Sequence, residues 1–348
     1  MDKKEILNSH FSEFSSIENC KKKYINDLQK YGYIDSVNEW VAMEKIHGAN
    51  FSFITDGIEI ITARRSATLQ SDEKFYGHQL IAEKYKSDVL QIHSKIKLDI
   101  PNITTIQIFG ELFGGYYPGR KNIMKPVQKE VLYNNEVDFL VFDIKANTRD
   151  LDKIDSFYLS QDEVDLYLAN LLLLRGAPVL ARGKFSDIID MNPVFPTTVP
   201  LLYHLSPIEG NVAEGYVFKL NKRHSCQYTR PIIKHKNKTF KEVSAFTPKI
   251  LSDNSLINQY IEKALAYCTQ NRFNNTISKI GPDNRIEKIQ GIFIADVITD
   301  MKKDLELDEL EEFHKIIKKI KEGLTYRLMH LDTINTWLTE YNNPITIA

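Results

Sequence analysis

The chain has 348 residues, of which 43% are hydrophobic and 26% are charged, and its formal net charge is −1. Such a composition is that of a globular protein and excludes a disordered or fibrous chain. The near-neutral charge excludes a protein that coats nucleic acid by bulk charge, so any nucleic-acid contact must come from a local basic surface.

Cysteine usage and hydropathy indicate an intracellular chain. Cys20, Cys226 and Cys268 are scattered and never form a Cys-x-x-Cys pair, which argues against a disulfide framework and a zinc site. The N-terminus lacks the apolar core of a signal peptide. The leucine run at 171–174 is interrupted by Arg175 and is too short to span a bilayer. We therefore expect a cytoplasmic protein without a membrane segment.

The N-terminal half of the chain is patterned mainly as strands. Residues 1–35 are predicted to be helical, and from Trp40 to about Glu242 short strands alternate with turn residues. Residues 51–55 and 58–62 are two such strands. The Asp56-Gly57 dipeptide between them favours a two-residue hairpin turn.

The register of this hairpin brings polar side chains together. A two-residue turn places Asn50 opposite Ala63. Lys45, Asn50 and Arg65 then lie toward the same, open end of the hairpin.

Further along, the pattern predicts a buried strand and one helix. The run at 137–144 (VDFLVFDI) is almost continuously apolar, as in a strand that is buried on both faces. Ser160 and Glu163 form a capping-box pattern at the start of a helix, which Gly176 is expected to end. The proline-containing loop 193–200 is expected to be extended and on the surface.

The pattern changes after about Phe246. Ile257, Tyr260 and Ile261 fall at helical spacing, and a second helical block follows Gly281-Pro282. We therefore predict a first domain at 1–246 and a small, all-helical second domain at 247–348.

Lys45 is the first candidate for chemistry, although a single lysine between two strands is most often a solvated loop charge. Gly48 lets the backbone turn away just past this lysine, which leaves the amine at a strand end facing a cleft. An amine acts as a nucleophile only after it loses its proton, and nearby cations and burial favour that loss. Other cations should therefore converge on the same place.

A basic segment further along supplies such cations. Between Lys219 and Lys241 the chain has eight lysine or arginine residues and no acid. Within this basic segment, Lys234 and Lys236 lie two residues apart on a predicted strand, so they point to one face. Two ammonium groups on one face could grip a triphosphate. The alternative is a solvated edge strand that is protected by its lysines.

Two acids lie in apolar, glycine-containing surroundings. Glu111 is in the segment FGELFGG, and Glu214 is in the segment AEGYVF. A buried carboxylate is costly unless it is paired, hydrogen-bonded or bound to a metal. Each acid is thus either a salt-bridge partner or a functional group. Phe142, within the apolar run, is by default a core residue.

The order of these residues resembles that of the covalent nucleotidyltransferase superfamily, which contains DNA ligases, RNA ligases and mRNA capping enzymes. The ordered elements are Lys45-x-His47-Gly48-x-Asn50, Arg65, Glu111-Leu112-Phe113-Gly114, Phe142-Asp143, Glu214-Gly215 and Lys234-x-Lys236. His47, where DNA ligases usually have aspartate, and Asn50 resemble the RNA ligase 2 family of phages, viruses and kinetoplastid RNA-editing ligases. The resemblance spans roughly Glu44–Glu242, and a weaker match at 272–281 continues into the helical domain.

This resemblance implies an α+β fold and a ligase activity. The fold would be a nucleotidyltransferase domain of packed, mainly antiparallel sheets with flanking helices, followed by a small all-α C-terminal domain. The enzyme would use ATP and Mg²⁺ or Mn²⁺ to seal 3′-hydroxyl and 5′-phosphate ends of RNA, with AMP carried covalently on Lys45. Nicked duplex RNA is the expected substrate. We expect a monomer without an obligate protein partner, which a virus or phage could encode.

The resemblance also implies a role for individual residues. The implied catalytic residues are Lys45, His47, Asn50, Arg65, Lys234 and Lys236. The implied nucleotide-binding residues are Glu44, Lys45, Asn50, Arg65, Glu111, Phe142, Glu214, Lys234 and Lys236. Among them, Phe142 would stack on adenine, Glu111 would bind the ribose hydroxyls, and Glu214 would help to hold the divalent metal.

Two other interpretations stay open. A DNA ligase or a capping-type nucleotidyltransferase usually carries a β-rich barrel after the last lysine motif, whereas residues 247–348 are patterned as helices. A non-catalytic RNA-binding scaffold could keep the fold without the chemistry. No key position is lost in this sequence, so we rank the scaffold last.

Overall fold

The computed structural model describes residues 3–120, 125–150, 153–242, 256–282, 284–307, 311–330 and 332–342. The chain divides into two compact units, Met1–Thr239 and Phe240–Ala348. This division is slightly earlier than the predicted boundary after residue 246, which itself lies outside the described residues.

The first unit combines strands with helices. Its described strands are β1 (Glu18–Asn19), β2 (Trp40–Glu44), β3 (Ala49–Thr55), β4 (Ile60–Arg64), β5 (Ala67–Thr68), β6 (Ile103–Gly114), β7 (Val137–Asp150), β8 (Lys153–Tyr158), β9 (Arg175–Gly176), β10 (Val179–Gly183), β11 (Gly215–Leu220), β12 (His224–Ser225) and β13 (Ile232–Lys236). Its described helices are α1 (Lys3–Ser9), α2 (Lys22–Lys30), α3 (His78–Asp99), α4 (Gln161–Leu168), α5 (Phe185–Ile188) and α6 (Val199–Leu202), and a 3₁₀ turn follows at Lys238–Phe240.

The strands form two sheets. The five-stranded sheet has the order β1-β13-β11-β2-β10, and the eight-stranded sheet has the order β12-β8-β7-β6-β3-β4-β5, with β9 beside β7. Pairing is antiparallel except between β1 and β13 and between β7 and β9. The predicted α+β fold with mainly antiparallel sheets is therefore confirmed.

One face of the eight-stranded sheet forms the main core of the first unit. Phe51 and Phe53 on β3, Ile108 on β6 and Val141 on β7 are buried in one apolar cluster with residues of α3. Because successive side chains of a strand point to opposite faces, Asn50 and its neighbours on that side face away from this core. This polar face is the one that carries the candidate site.

The hairpin between β3 and β4 has a longer loop than predicted. Thr55 pairs with Ile60, so four residues lie between the strands. The Asp56 carboxylate accepts hydrogen bonds from two backbone N–H groups of the loop, each at 2.9 Å, and this local turn replaces the tight one. The predicted pairing of Asn50 with Ala63 is thus wrong by two residues. A shift of two keeps every side chain on its predicted face.

The predicted start of α4 is confirmed, but its predicted end is wrong. The Ser160 hydroxyl accepts from the Glu163 N–H, and the Glu163 carboxylate accepts from the Ser160 N–H at 2.9 Å, which completes the capping box. The helix ends at Leu168, well before Gly176. Two N–H groups of the following leucine run donate to the buried Asp88 carboxylate instead of continuing the helix.

The predicted buried strand is confirmed as part of β7, and it contains a bulge. Phe109 pairs with Asp143 and Gly110 pairs with Val141, so Phe142 is an extra residue on this strand. Val141 and Ile144 both lie in the main core, although they are three residues apart. The bulge therefore turns Phe142 and Asp143 together toward the opposite, polar face.

A buried ion cluster joins the two sheets. Asp143 on β7 forms ion pairs with Lys219 of β11, at 3.4 Å, and with Arg230, whose second guanidinium nitrogen donates at 2.7 Å. Burial opposes ionisation of Asp143, but the two cations outweigh it and lower the pKa of its carboxyl. Burial lowers the pKa of Lys219 to about 8. The guanidinium of Arg230 also lies 4.0 Å from the centre of the Tyr158 ring.

The described part of the second unit is helical, as predicted. Its helices are α7 (Leu256–Leu265), α8 (Gln270–Ile280), α9 (Ile286–Asp304), α10 (Glu311–His330) and α11 (Thr333–Asn342). Their apolar faces form a separate core that includes Phe273, Phe293 and Leu324. The N-terminal segment 1–35, predicted to be helical, contains α1 and α2 but also the short strand β1. Across the described residues, no helix has the length and apolar character that a membrane span requires.

Asp143→Asn should strongly destabilise the first unit. The amide keeps the shape of the side chain but leaves two buried cations without their counter-charge, which costs about 3–5 kcal/mol. Urea unfolding measures the loss. As the matched control, Asp165→Asn removes a charge that pairs with Arg182 on the surface and should cost less than about 1 kcal/mol. Equal, small losses for the two variants would contradict the bridging role.

Candidate active site

Lys45 lies just after β2, in a short connection to β3. Its backbone N–H donates to the Gly215 carbonyl at 2.9 Å, and its side-chain amine lies 2.8 Å from the Glu214 carboxylate. The amine is partly exposed, whereas Glu214 is buried. The lysine is therefore held by an ion pair rather than solvated as a loop charge.

Glu214 is the centre of a cluster of charged groups. One carboxylate oxygen contacts both Lys45 and His47, and the other lies 3.0 Å from the Lys236 amine. Burial opposes ionisation of Glu214, but Lys45 and Lys236 outweigh it and hold the pKa of this carboxyl well below its usual range. Three cations from two segments of the chain, the Lys45 loop and β13, thus converge on one buried carboxylate.

His47 links this carboxylate to a second one. Its Nδ1 lies 3.2 Å from Glu214, its Nε2 lies 3.0 Å from Glu130, and its backbone N–H donates to the Tyr133 hydroxyl at 2.8 Å. Burial alone would lower the pKa of His47, but the hydrogen bonds to the two carboxylates raise it to about 9. The ring is therefore an imidazolium at neutral pH, with both nitrogens donating. Lys45, His47, Lys236, Glu130 and Glu214 are called the Glu214 cluster below.

Gly48 is required where the loop passes β6. A Cβ atom at this position would lie 1.9 Å from the Leu112 carbonyl oxygen, which no side chain could accommodate. The backbone of the Lys45 loop therefore packs directly against the strand that carries Glu111. The predicted role of Gly48 in positioning Lys45 has a structural basis in this close approach.

Asn50 and Glu111 are direct neighbours across β3 and β6. Burial raises the pKa of the Glu111 carboxyl from 4.5 to about 7, although the charges of Lys45, His47 and Arg65 oppose the rise. Among the described residues, the Glu111 carboxylate has no ion-pair or hydrogen-bond partner. It is thus a largely uncompensated acid close to the Glu214 cluster.

Arg65 contacts the N-terminal segment. Its guanidinium donates to the Ser16 hydroxyl at 2.8 Å and lies 3.7 Å from the Glu13 carboxylate. The same segment is fixed to β6 by two hydrogen bonds between Ser12 and the Gln107 side chain. We call residues 12–16 the N-terminal strap.

Phe142 is an aromatic wall on the polar face, not a residue of the main core. The strap residue Phe14 packs against its ring edge to face, with 5.0 Å between the ring centres. Phe14 also contacts Phe109 and Tyr158, and together these rings form a separate small cluster. The Phe142 side chain is half-buried.

Lys234 and Lys236 lie on one face of β13, as predicted. Lys234 pairs with Val217 of β11, and its carbonyl accepts from the Cys20 N–H at 2.9 Å. β1 covers this side of β13, so the strand is not the solvated edge of the alternative interpretation.

Glu44 is held differently from the other predicted residues. Both of its carboxylate oxygens accept hydrogen bonds from Thr197 and Thr198. Its burial raises the pKa of its carboxyl, although these bonds oppose the rise. The loop 193–200, predicted to lie on the surface, buries Thr197 and begins α6 within its last residues. The prediction is confirmed for Val194 and Pro196, which are exposed, and is wrong for the end of the loop, which supplies the donors that Glu44 needs.

The basic segment is less exposed than its composition suggests. Lys219 and Arg230 are buried with Asp143, Arg223 pairs with Glu163, and Lys236 pairs with Glu214. Half of its eight cations are therefore neutralised within the protein. The segment positions the site more than it presents a charged surface.

Sequence reasoning missed several residues that shape the site. These are Glu130 and Tyr133, which hold His47, Thr197 and Thr198, which hold Glu44, and Lys219 and Arg230, which hold Asp143. Glu130 and the two threonines lie in loops without periodicity, so no local pattern marks them. The two cations were visible in the basic segment, and an unpaired aspartate at the end of an apolar strand could have suggested their partner.

A divalent metal fits this site only together with ligand oxygens. Within the described residues, no group of three or more His, Cys, Asp or Glu side chains could hold a metal ion alone. Mg²⁺ commonly binds one or two carboxylates and completes its shell with phosphate oxygens and water. Glu214 is the buried acid that suits this arrangement.

Two packed antiparallel sheets with a lysine and buried acids on their polar faces define a nucleotidyltransferase fold. Comparison with known families then identifies the branch. The family model described as RNA ligase matches residues 38–236, and that described as T4 RNA ligase 2 C-terminal matches residues 252–329. The chain belongs to the RNA ligase family, and its second match assigns it to the RNA ligase 2 group.

Curated relatives include two mitochondrial RNA-editing ligases of Trypanosoma brucei brucei. RNA-editing ligase 2 is 27% identical over an alignment that covers 86% of this chain and 84% of that protein. RNA-editing ligase 1 is 28% identical, with 62% of this chain and 51% of that protein covered. The chain thus spans about half the length of the second relative.

Solved structures of a Naegleria gruberi RNA ligase are more distant. One mutant of that enzyme, with ATP and Mn, is 18% identical, with a TM-score of 0.40, and 66% of this chain and 57% of that chain are covered. Another mutant, with AMP and Mn, is 16% identical, with a TM-score of 0.42 and the same coverage.

Burial of Glu111 predicts a pH-dependent stability. Its carboxyl holds a proton up to about pH 7 in the folded protein but only to about pH 4.5 when unfolded, so the folded state binds more protons between these values. The unfolding free energy of the wild type, relative to Glu111→Gln, should therefore fall as the pH rises from about 4.5 to about 7.

Urea unfolding of both proteins across this pH range measures the difference. Glu214→Gln is the matched contrast, because the pKa of Glu214 is lowered in the folded protein. The unfolding free energy of the wild type, relative to this variant, should therefore rise as the pH rises toward 4.5. A constant difference between wild type and Glu111→Gln across the pH range from about 4.5 to about 7 would contradict the assigned burial.

Proposed function

We propose that this protein is an ATP-dependent RNA ligase that seals 3′-hydroxyl and 5′-phosphate ends at nicks in duplex RNA. It acts through a covalent lysyl-AMP on Lys45. The observation that carries the proposal is the convergence of Lys45, His47 and Lys236 on the buried Glu214 carboxylate. Membership of the RNA ligase family supports the substrate class.

In the first step the uncharged Lys45 amine attacks the α-phosphate of ATP. A nitrogen–phosphorus bond forms, the bond to pyrophosphate breaks, and the amine proton is lost. The Glu214 carboxylate, 2.8 Å from the amine, positions it for this attack.

The other predicted residues have roles that match their surroundings. Phe142 stacks on adenine, and Glu111 with its neighbour Asn50 binds the ribose hydroxyls. Lys234 and Lys236 neutralise the triphosphate, which is where phosphoryl transfer gains most of its catalysis. We also assign Glu44 to the nucleotide site, where its bonds to the loop 193–200 position the start of the Lys45 segment.

A divalent metal, Mg²⁺ or Mn²⁺, would be held by Glu214 and by phosphate oxygens of the nucleotide. When bound, such an ion neutralises charge that develops on the phosphates. The chain itself keeps Glu214 ionised for this purpose, since Lys45 and Lys236 hold the pKa of its carboxyl low.

The later steps transfer and then displace the adenylate. The 5′-phosphate of RNA attacks the lysyl-AMP phosphorus and releases the Lys45 amine. The 3′-hydroxyl then attacks the activated 5′-phosphate, a phosphodiester forms, and AMP leaves. Arg65 binds the 5′-phosphate, for which its contacts with Ser16 and Glu13 hold the guanidinium in place.

We propose a cytoplasmic enzyme that acts as a monomer and needs no protein partner. Two competing activities are separated by simple assays. Label from GTP instead of ATP indicates a capping-type enzyme, and sealing of DNA–DNA nicks in preference to RNA indicates a DNA ligase.

Incubation with α-labelled ATP and Mg²⁺ should label the protein covalently. Lys45→Ala should abolish the label, because the substitution removes the attacking amine itself. A denaturing gel measures the transfer, and Lys22→Ala, at an exposed lysine of α2, should label like the wild type. If the folded wild type acquires no label and Lys45→Ala behaves identically, the protein is a binding scaffold and not a ligase. Equal labelling of the wild type and Lys45→Ala would instead refute Lys45 as the nucleophile.

Removal of the helical unit should separate adenylylation from sealing. A protein of residues 1–246 keeps the Glu214 cluster and should accept label from ATP, yet it should fail to seal nicked RNA. Sealing is followed by gel electrophoresis of a labelled 5′-phosphate strand in nicked RNA–RNA, hybrid and DNA–DNA duplexes. Normal sealing by the truncated protein would contradict the division of roles between the two units.

A further inference from the structure

RNA binding by a ligase requires exposed cations. A ligase of this kind must hold the phosphate backbone on both sides of a nick, and such contacts are mainly electrostatic. Half of the cations in the basic segment, the obvious candidate in the sequence, are paired with acids of the first unit. In the second unit, Arg272 is likewise buried against two acids. The other half of the basic segment includes the exposed Lys222, Lys238 and Lys241, so exposed cations of the second unit are candidates in addition to these.

Helix α10 carries such cations. Its apolar face is buried in the core of the second unit through Phe313, Ile320, Leu324 and Leu328. Lys315, Lys318, Lys319 and Lys321 are all exposed. With 3.6 residues per turn, the first three of these lysines fall on the side of the helix opposite the buried residues, and the fourth lies at the edge of that side. We call these four lysines the α10 basic face.

Three of these lysines are not neutralised. Within the described residues, Lys318, Lys319 and Lys321 form no ion pair with any acid. Lys315 lies 3.5 Å from Glu311, but both side chains are highly exposed, so the pair contributes little. Glu311 and Glu322 are exposed acids on the same side of the helix, so the four lysines and these two acids leave a net charge of +2.

The C-terminal end of the same side of α10 is amphipathic. Tyr326 and Met329 are 64% and 66% exposed, and they follow the lysines by one to three turns. A tyrosine beside lysines is suited to contact with ribose and base edges next to a phosphate backbone.

We propose that the α10 basic face binds the sugar–phosphate backbone of duplex RNA. This inference rests on the proposed ligase function and names the surface of the helical unit that makes it competent for nick sealing. Lys318, Lys319 and Lys321 each neutralise a phosphate and displace its counterions. Adenylylation does not depend on them, because its residues belong to the first unit.

The test is the full-length triple variant Lys318→Gln, Lys319→Gln and Lys321→Gln. The probe is a fluorescent nicked RNA duplex, and its affinity is measured by anisotropy at several KCl concentrations. Affinity at about 0.1 M KCl should fall by at least about tenfold, and the slope of log K against log[KCl] should decrease by about 2–3. Sealing of subsaturating nicked RNA should fall in parallel, while labelling from ATP stays unchanged.

The matched control removes the same charge from the first unit. Lys22→Gln, Lys86→Gln and Lys97→Gln neutralise three exposed helical lysines there, and this variant should keep the affinity and slope of the wild type. Lys318→Arg, Lys319→Arg and Lys321→Arg should bind RNA normally, which shows that positive charge at these positions is required. An unchanged far-UV circular dichroism spectrum of the glutamine variant excludes misfolding as the cause of any loss. If the glutamine variant and the control behave alike, the α10 basic face is not an RNA surface.

The results that would refute the proposed ligase function differ from those that would refute RNA binding by the α10 basic face. A wild-type protein that is not labelled by ATP, or that is labelled but seals no RNA, refutes the proposed function whatever the helix does. A wild-type protein that seals RNA, with a glutamine variant that binds and seals equally well, refutes only the surface.

Discussion

The candidate site depends on one buried carboxylate. Glu214 cannot stay ionised away from water unless cations compensate for the lost hydration, and three cations from two stretches of the chain contact it. Lys45 follows β2, His47 lies two residues later, and Lys236 ends β13. Glu214 in turn stabilises these cations, because without its charge the three would repel one another within one small volume. The charges that compensate for the burial of Glu214 are thus already in place for the phosphoryl transfer proposed above.

A second buried acid makes this arrangement possible by joining the sheets. The bulge at Phe142 turns two consecutive side chains of β7 toward the polar face, where a regular strand would turn only one. Asp143 then ties β7 to the five-stranded sheet through Lys219 and Arg230, and the aromatic ring beside it becomes a wall of the site. Asp143, which joins the sheets, and Phe142, which borders the candidate site, are therefore neighbours on β7 with different roles.

Much of this could be predicted from the sequence, wherever the cause is local. Strand alternation, the capping box at Ser160 and the helical spacing after residue 256 depend on neighbours along the chain, and each is present in the structure. The loop at Asp56 is longer than predicted because the Asp56 side chain forms a local turn in place of the expected one. The hydrophobic pattern of the sequence does not indicate such hydrogen bonds. Glu130 and Thr197 were missed because each is defined only by the distant residue that it contacts.

The distribution of charge shows why composition is a poor guide to nucleic-acid binding. A net charge of −1 conceals two populations of cations that differ in what surrounds them. In the first unit, cations such as Lys219 and Arg230 lie in buried clusters with acids, where they shape the site but add little field at the surface. The lysines of α10 face solvent on a helix whose other side is apolar, so their charge is available to a polyanion. Buried and exposed lysines therefore contribute differently to the field at the surface, and their burial distinguishes the two groups.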